Sequence, residues 1–286
     1  MSDFIKRPSR RALLSGLAVS PIAVAGIGSF TSSARAQAQA AGLISANVCM
    51  VMPEVTEGPY YLDEALLRSD ITEGREGVPM RLRLQVVTAE CAPVEGARVD
   101  VWHCDAAGNY SGYASQGSDG TNDTEGETFL RGTQMTGADG VAEFRSIYPG
   151  WYRGRTTHVH YKVFLDERTV LTSQIFFPDA LSQYLFQSVP PYNDRSAERD
   201  TMNGNDGIAK QAGEGAYAAI REQYDFYDAA LVVGIDPSAT SAEGGMGAGG
   251  PPPGGERPDG PPPGGVGGPD QGGSAEVFIP GRTASE

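Results

Sequence analysis

Two of the three histidines in this 286-residue chain lie two positions apart, at His158 and His160. On a β-strand such residues share one face with their Cα atoms roughly 6 to 7 Å apart, so both imidazoles can bind one metal ion. Val159, Tyr161 and Val163 then face the core on the other side of the strand. Taken alone, a His-x-His pair is a weak signal, because a solvated pair on a strand face is more common.

Tyrosine residues supply the other candidate ligands. Tyr152 lies six residues before His158, and Tyr110 ends the segment 102–110. A phenolate is a hard anionic donor whose parent phenol has a pKa of about 10, so only a strongly Lewis-acidic cation such as ferric iron keeps it deprotonated at neutral pH. No paired acidic motif accompanies the histidines, which argues against an ordinary zinc site and against a two-histidine-one-carboxylate iron(II) site.

Four ordered segments of the chain resemble the intradiol ring-cleavage dioxygenases, the family of catechol and protocatechuate 3,4-dioxygenases. The resemblance covers about residues 53–206 and is specific, because several motifs occur together in the family's order. The segments are 56–61 (Thr-Glu-Gly-Pro-Tyr-Tyr), 99–110, 148–160 and 173–177 (Ser-Gln-Ile-Phe-Phe).

The resemblance implies a non-haem iron(III) centre with one ion per chain, and its ligands are Tyr110, Tyr152, His158 and His160. Tyr152 matches the axial tyrosine that leaves the metal when substrate binds. Arg155 and Gln174 match the pair of side chains that faces the bound catechol. The implied reaction uses O2 to cleave a catecholic ring between its two hydroxyl-bearing carbons, which gives a cis,cis-muconate-type diacid.

Physical reasoning supports separate roles for Tyr152 and Arg155. Tyr152 can act both as a leaving ligand and as the base that takes a proton from the catechol. The guanidinium of Arg155 can stabilise negative charge that develops during the reaction. The sequence shows no salt-bridge pattern around Arg155, so we expect it to act in the reaction and not in folding. Trp102 and Trp151 are predicted to pack, and His103 is predicted to make a structural hydrogen bond.

The sequence leaves the substrate and the assembly open. The loop 112–131, which is expected to line the pocket, is rich in glycine and small polar residues. Catechol, protocatechuate, hydroxyquinol and larger lignin-derived rings all remain alternatives. The segment before the first predicted strand differs from the helical dimerisation segment of cytoplasmic catechol dioxygenases, so the oligomeric state is undecided and a homodimer is one alternative.

Two other functions are kept as alternatives. A β-sandwich can be a noncatalytic periplasmic binding protein, since such folds serve many purposes without a metal. A zinc-dependent hydrolase that used His158 and His160 would need a carboxylate ligand, and the nearest candidate, Asp166, lies beyond the strand. Tyrosine-to-iron charge transfer distinguishes the ferric site from both, because it colours the protein red-brown.

A β pattern surrounds these candidate residues. Between Met80 and Phe177 apolar and polar residues alternate with period two, and turn residues interrupt them at short intervals. This predicts an all-β fold, a β-sandwich of mixed and antiparallel strands with a few short helices and long loops. Hairpin turns are predicted at 89–96 and 138–140. An alanine-rich stretch predicts one helix within 206–227.

The two ends of the chain differ from this middle part. Residues 1–36 place Arg10 and Arg11 before an apolar stretch and a small-residue site, which resembles a twin-arginine signal for export to the bacterial periplasm or beyond. No stable membrane anchor is expected after processing. Residues 239–286 are rich in glycine and proline and predict a disordered tail. The predicted catalytic domain is therefore 37–238.

The charge of the chain argues against one class of partner. It has 22 lysines and arginines against 36 aspartates and glutamates, which gives a formal charge of −14. It therefore lacks the basic face that binding to a phosphate backbone requires, and nucleic acid is not an expected partner.

The three cysteines are expected to meet an oxidising compartment if the chain is exported. If 97–103 is a strand, then at roughly 3.3 Å per residue it places Cys104 roughly 20 Å from Cys91, which is too far for a disulfide. Cys49 is the better partner. We predict a Cys49–Cys91 disulfide and a buried thiol at Cys104.

Overall fold

Two four-stranded β-sheets make up most of the regular structure in the computed structural model, which describes residues 49–116, 122–195 and 197–242. The first sheet has the order β4-β1-β8-β7 and the second the order β3-β2-β5-β6. The strands are β1 (Pro79–Thr88), β2 (Arg98–Trp102), β3 (Arg131–Met135), β4 (Val141–Ile147), β5 (His158–Leu165), β6 (Arg168–Phe176), β7 (Ala219–Glu222) and β8 (Tyr227–Ile235).

Helical structure is short in the described residues. Within the described ranges the α-helices are α1 (Asp179–Ser188) and α2 (Gly207–Ala212), and single 3-10 turns occur at Tyr192–Asp194 and Glu214–Ala216. The prediction of an all-β fold, a β-sandwich with a few short helices, is confirmed.

The inner faces of the two sheets share one hydrophobic core. Leu82 and Leu84 of β1 are fully buried, and so are Val99 of β2 and Val159 and Tyr161 of β5. Along β1 these leucines alternate with partly exposed arginines, which is the pattern of a strand with one solvated face. β1 pairs antiparallel with β4 and parallel with β8, so the first sheet is mixed as predicted.

Strand β5 is buried on both faces. Val159 and Tyr161 face the core as predicted, while His158, His160 and Lys162 on the opposite face are each only 2% exposed. The segment 53–61 covers this second face: Glu57 pairs with Lys162, and a Cβ at Gly58 would lie 3.3 Å from His160 Cε1. The pair of histidines is therefore not a solvated pair on a strand surface.

The chain turns at 89–96 and 138–140 as predicted, but the strands on either side of each turn do not pair as a hairpin. Both connections pass from one sheet to the other, since β1 and β4 lie in the first sheet and β2 and β3 in the second. The physical reason is that β4 and β8 occupy both sides of β1, which leaves no free edge for β2. Gly140 is required at the second connection, because its φ is 75° and a Cβ there would lie 2.5 Å from the carbonyl oxygen of Val86.

The predicted helix within 206–227 is correct only for its first turns. Asp206 caps α2 by accepting from the backbone N–H groups of Ile208 and Ala209, and Gly213, with φ 73°, follows the last helical residue. The chain then forms β7, which pairs with β8. Both of these strands, and the helix α1, were missed by the sequence pattern.

The cysteine prediction is confirmed. Cys49 and Cys91 form a disulfide with their Cα atoms 5.1 Å apart, and Cys104 is a buried free thiol. In the part of the chain that the structure describes, no helix is both long and apolar enough to cross a membrane.

The predicted signal segment 1–36 lies outside the described residues, and so does the predicted tail beyond residue 242. The first residues assigned to the tail are held against the domain. The backbone N–H of Ser241 donates to Thr169 at 2.9 Å, and its hydroxyl bonds to Glu54. Ordered structure therefore extends a few residues past the predicted boundary at 238.

Candidate metal centre

His158 and His160 lie on the face of β5 that points away from the shared core. Strand register places His160 opposite Trp102 of β2 and opposite Gln174 of β6. The Nε2 atoms of the two imidazoles are 3.1 Å apart. The indole of Trp102 stacks on the His160 ring with centroids 4.9 Å apart and fixes the plane of that imidazole.

Two loops bring the predicted tyrosines to the same point. The hydroxyl oxygen of Tyr152, in the connection between β4 and β5, lies 3.1 Å from His158 Nε2. The hydroxyl oxygen of Tyr110, in the loop after β2, lies 3.3 Å from the same atom. Gln116 and Thr124 fix the Tyr110 backbone by hydrogen bonds to its N–H and its carbonyl oxygen. The structure thus brings together all four predicted ligands.

The hydrogen bonds of His158 indicate which of its nitrogens carries the proton. Its Nδ1 lies 2.6 Å from the carbonyl oxygen of Thr156, which can only accept, so Nδ1 donates and Nε2 presents a lone pair to the cluster. Burial, reinforced by the nearby Arg155, lowers the pKa of His158 to about 3. Burial likewise holds the pKa of His160 well below its usual range. Both imidazoles are therefore neutral at pH 7.

The tyrosine hydroxyls have the opposite preference. Burial raises the pKa of Tyr152 to about 12, although Arg155 opposes that rise, and burial raises the pKa of Tyr110 well above its ordinary value. Without a cation both groups are phenols at neutral pH. A strongly Lewis-acidic cation among them would convert both to phenolates.

The donor set fits a single cation. The other three donor atoms lie 3.1 to 3.3 Å from His158 Nε2, which is less than twice a metal–nitrogen bond of about 2.1 Å, so each can share one ion with that nitrogen. The other ring nitrogen of His160, Nδ1, is buried without a hydrogen-bond partner. Two neutral imidazoles and two phenols suit a hard, highly charged ion that can ionise the phenols.

Arg155 and Gln174 lie beside this cluster. Arg155 Nη1 is 3.5 Å from His158 Nε2, and Arg155 Nη2 donates to Gln174 Oε1 at 2.5 Å. Gln174 in turn donates to the carbonyl oxygen of Thr56, and its side chain is fully buried. Both predicted residues therefore face the candidate metal donors.

Although the sequence shows no salt-bridge pattern around Arg155, the structure gives it an ion-pair partner. Its Nε donates to Asp206 Oδ2 at 2.9 Å, and the two side chains are 6% and 1% exposed. Burial alone would raise the pKa of Asp206, but Arg155 and the backbone N–H groups of Thr156 and Ala209 lower it, so this carboxyl is ionised. Arg155 is consequently held by the fold as well as placed for chemistry.

The predictions for the other aromatic residues and His103 agree with the structure. Trp102 and Trp151 are packed at 1% and 2% exposure. His103 makes two structural hydrogen bonds, to the carbonyl oxygen of Cys104 at 2.8 Å and to Ser146 Oγ at 2.7 Å.

Asp166 does not approach the cluster. It is an exposed residue in the turn between β5 and β6, at the end of β5 opposite to His158. Among the described residues, no group of three or more His, Cys, Asp or Glu side chains is arranged to hold a metal ion.

Comparison with known proteins gives the family. A family model described as dioxygenase matches residues 56–189. The solved structure of an intradiol ring-cleavage dioxygenase from Tetranychus urticae is 34% identical, covers 68% of this chain and 98% of its own, and superimposes with a TM-score of 0.62. The chain belongs to the intradiol ring-cleavage dioxygenase family.

Curated relatives of this chain agree with that family. Catechol 1,2-dioxygenase 1 of Acinetobacter lwoffii is 30% identical over 43% of this chain and 45% of its own length. A chlorocatechol 1,2-dioxygenase of Cupriavidus pinatubonensis is 29% identical over 42% of this chain and 52% of its own length. The chain spans about half the length of these relatives.

Three residues around the candidate centre were not singled out from the sequence. Asp206 pairs with Arg155, and the ring of Tyr60 stacks on Tyr110 with centroids 4.4 Å apart. Arg131 is buried and donates to the carbonyl oxygens of Tyr60 and Ser111, so it joins the two loops that carry these tyrosines. The aspartate directly before the glycine of α2 is a helix-cap signal that could have located Asp206. No local pattern identifies the other two.

Proposed function

We propose that this protein binds one non-haem ferric ion and uses O2 to cleave a catecholic ring between its two hydroxyl-bearing carbons. Tyr110, Tyr152, His158 and His160 are the proposed ligands. The observation that carries the proposal is that the other imidazole nitrogen and both phenol oxygens lie within 3.3 Å of His158 Nε2. Family membership supports the same reaction class.

Tyr152 is proposed to leave the metal and to act as a base when the substrate binds. Its phenolate is stable only while a cation holds it, because burial raises the pKa of the free Tyr152 hydroxyl to about 12. A Tyr152 phenolate displaced by a catechol oxygen therefore takes up a proton from that catechol. The second catechol proton would go to a hydroxide bound beside Tyr152, so that a catechol held by the four-ligand site would be a dianion.

Arg155 is proposed to stabilise negative charge on the reacting substrate. Ferric iron, when bound, draws electron density from the coordinated ring and makes one ring carbon reactive toward O2. The Arg155 guanidinium is fixed in place before reaction, with Nη1 on the side of the candidate metal donors. A donor that is already oriented needs no reorganisation as charge develops. Breaking the bond between the two hydroxyl-bearing carbons with insertion of both oxygen atoms gives a diacid of the cis,cis-muconate type.

The substrate is proposed only as a class. Relatives of this chain carry the names catechol, chlorocatechol and hydroxyquinol 1,2-dioxygenase. Their common feature is an aromatic ring with adjacent hydroxyl groups, which is the feature that the four-donor cluster and Arg155 would recognise.

We also propose that the protein acts after export to the bacterial periplasm or beyond. Residues 1–36 resemble a twin-arginine signal. The Cys49–Cys91 disulfide supports this location, since such bonds persist mainly in oxidising compartments.

The test combines visible absorption, metal analysis and O2 uptake on the purified protein. We expect a red-brown protein with one iron per chain that consumes O2 when catechol is added and releases a ring-opened diacid. His160→Ala should remove the colour and the iron. His103→Asn, which alters a buried histidine outside the cluster, should retain both.

Two results would count against the proposal. A colourless protein containing zinc would favour a hydrolase, and a protein that binds catechol without consuming O2 would favour a binding protein. Full iron content and unchanged colour in His160→Ala would refute the ligand assignment.

A further inference from the structure

We propose that Asp206 is a positioning residue that aims the guanidinium of Arg155 at the metal donors. The expected effect of Asp206 on catalysis rests on the proposed function. Its structural part concerns only Asp206, Arg155 and their hydrogen bonds.

Two of the three guanidinium nitrogens of Arg155 are held by groups from different parts of the fold. Nε donates to Asp206 Oδ2 at 2.9 Å, and Nη2 donates to Gln174 Oε1 at 2.5 Å. The remaining nitrogen, Nη1, lies 3.5 Å from His158 Nε2. A planar group that is fixed at two corners has only one direction left for the third, so these two bonds set the orientation of Nη1.

The carboxylate of Asp206 is itself rigidly placed. Its Oδ1 accepts from the backbone N–H groups of Ile208 and Ala209 at the start of α2. Its Oδ2 accepts from the Thr156 backbone N–H as well as from Arg155. The side chain of Asp206 is 1% exposed. One buried carboxylate therefore ties the helix to the turn that precedes β5.

The same turn orients His158. The carbonyl oxygen of Thr156 accepts from His158 Nδ1 at 2.6 Å, and the Thr156 hydroxyl donates to Asn203 at 2.9 Å. Asn203 and Asp206 belong to one loop, so this loop supports both the guanidinium and the peptide that fixes the imidazole tautomer.

The charge of Asp206 has a separate effect. Arg155 is 5% exposed and lies next to a cluster that is proposed to hold a cation. An unpaired guanidinium in that place would be repelled by the cation and would lack hydration. Asp206 offsets this charge and allows Arg155 to stay beside the metal donors.

The test uses Asp206→Ser, because a serine still caps α2 through its hydroxyl but is too short to bond Arg155 Nε. Asp228→Asn is the matched control: it removes a buried carboxylate that pairs with Arg83 in the first sheet, away from the centre. We expect Asp206→Ser to lower kcat by about 10- to 100-fold, as for other residues that support metal-site side chains. Asp228→Asn should keep the wild-type kcat.

A double variant shows whether Asp206 acts through Arg155. If it does, Asp206→Ser combined with Arg155→Ala has the same kcat as Arg155→Ala alone. Independent, multiplying losses in the double variant would overturn the proposal. Loss of iron from Asp206→Ser, with iron retained in Arg155→Ala, would also overturn it, because the role of Asp206 would then be to build the metal site.

A labelling experiment on the metal-free protein does not depend on the proposed function. Phenylglyoxal reacts with accessible guanidinium groups, and peptide mass spectrometry quantifies its reaction with Arg155. We expect labelling of Arg155 to rise several-fold in Asp206→Ser and to stay at the wild-type level in Asp228→Asn. Equal labelling in all three proteins would refute the positioning role. Absence of ring cleavage by the wild type, with increased labelling in Asp206→Ser, would refute the proposed function alone.

Discussion

Acid should destabilise the folded protein through its buried histidines, and the contribution of His103 can be isolated. His103 is 1% exposed and lies outside the cluster of candidate metal donors. Both of its ring nitrogens are hydrogen-bonded, to the Cys104 carbonyl oxygen and to Ser146 Oγ. Burial lowers the pKa of His103 to about 4, against an ordinary value of 6.5. Protonation of this imidazole therefore favours the unfolded chain.

The size of the effect follows from those two pKa values. Between pH 6.5 and about 4 the unfolded chain binds a proton at His103 that the folded protein does not. The stabilisation is thus fully present above pH 6.5 and is lost as the pH falls toward 4. The free energy of unfolding should fall by up to about 1.4 kcal/mol per pH unit, or about 3 kcal/mol over the whole interval.

Urea unfolding of the metal-free protein at several pH values between 7.5 and 4.5 measures this dependence. His103→Asn should have a shallower fall in unfolding free energy than the wild type, although it starts from a lower stability. Ser146→Ala is the matched control, because it loses a hydrogen bond of similar burial but keeps the imidazole. His158 and His160 are present in every protein, so their contributions cancel in the comparison. Parallel pH curves for the wild type and His103→Asn would refute the reasoning.

Three further predictions concern catalysis and stability. Arg155→Ala should retain iron but lose about 2 to 4 kcal/mol of transition-state stabilisation, measured as kcat/KM on a confirmed catechol; an unchanged value would contradict its role. Lys162→Met leaves the half-buried carboxylate of Glu57 without its cation and should lower the free energy of unfolding by about 1 to 3 kcal/mol, a loss that Glu57→Gln in the same chain should partly restore. Replacing Cys49 and Cys91 by serine removes a cross-link between residues 42 positions apart. The free energy of unfolding, measured by urea titration, should fall by about 4 kcal/mol. Equal stability of the wild type with and without reductant would contradict this.

The local pattern of the sequence is sufficient to predict the two faces of β5. Alternation along 158–163 separates His158 and His160 from Val159 and Tyr161, and strand geometry alone fixes that separation. It does not reveal that the histidine face is also buried. That burial comes from the segment 53–61, which is distant in sequence and is placed by contacts such as the bond from Val55 to Thr172.

Sheet membership and the ion pair of Arg155 depend on distant parts of the chain. Turn residues at 89–96 indicate that the chain changes direction, but they do not show which sheet the next strand joins. That is decided by β8, which follows β1 by more than a hundred residues and occupies one of its sides. Arg155 and Asp206 are likewise 51 positions apart, so neither spacing nor periodicity connects them.

The charges of the side chains around the candidate centre suit the proposed catecholic substrate better than a single phenol. His158 and His160 are neutral at pH 7, and the negative charge of Asp206 balances the positive charge of Arg155. If a trivalent cation were bound with Tyr110 and Tyr152 as phenolates, one positive charge would remain for a third anionic ligand such as hydroxide. A catechol that bound as a dianion would give one proton to that hydroxide and one to Tyr152, so the net charge of the site would stay unchanged. A phenol with one hydroxyl can replace only one of these ligands, and it would leave either Tyr152 or the hydroxide in place.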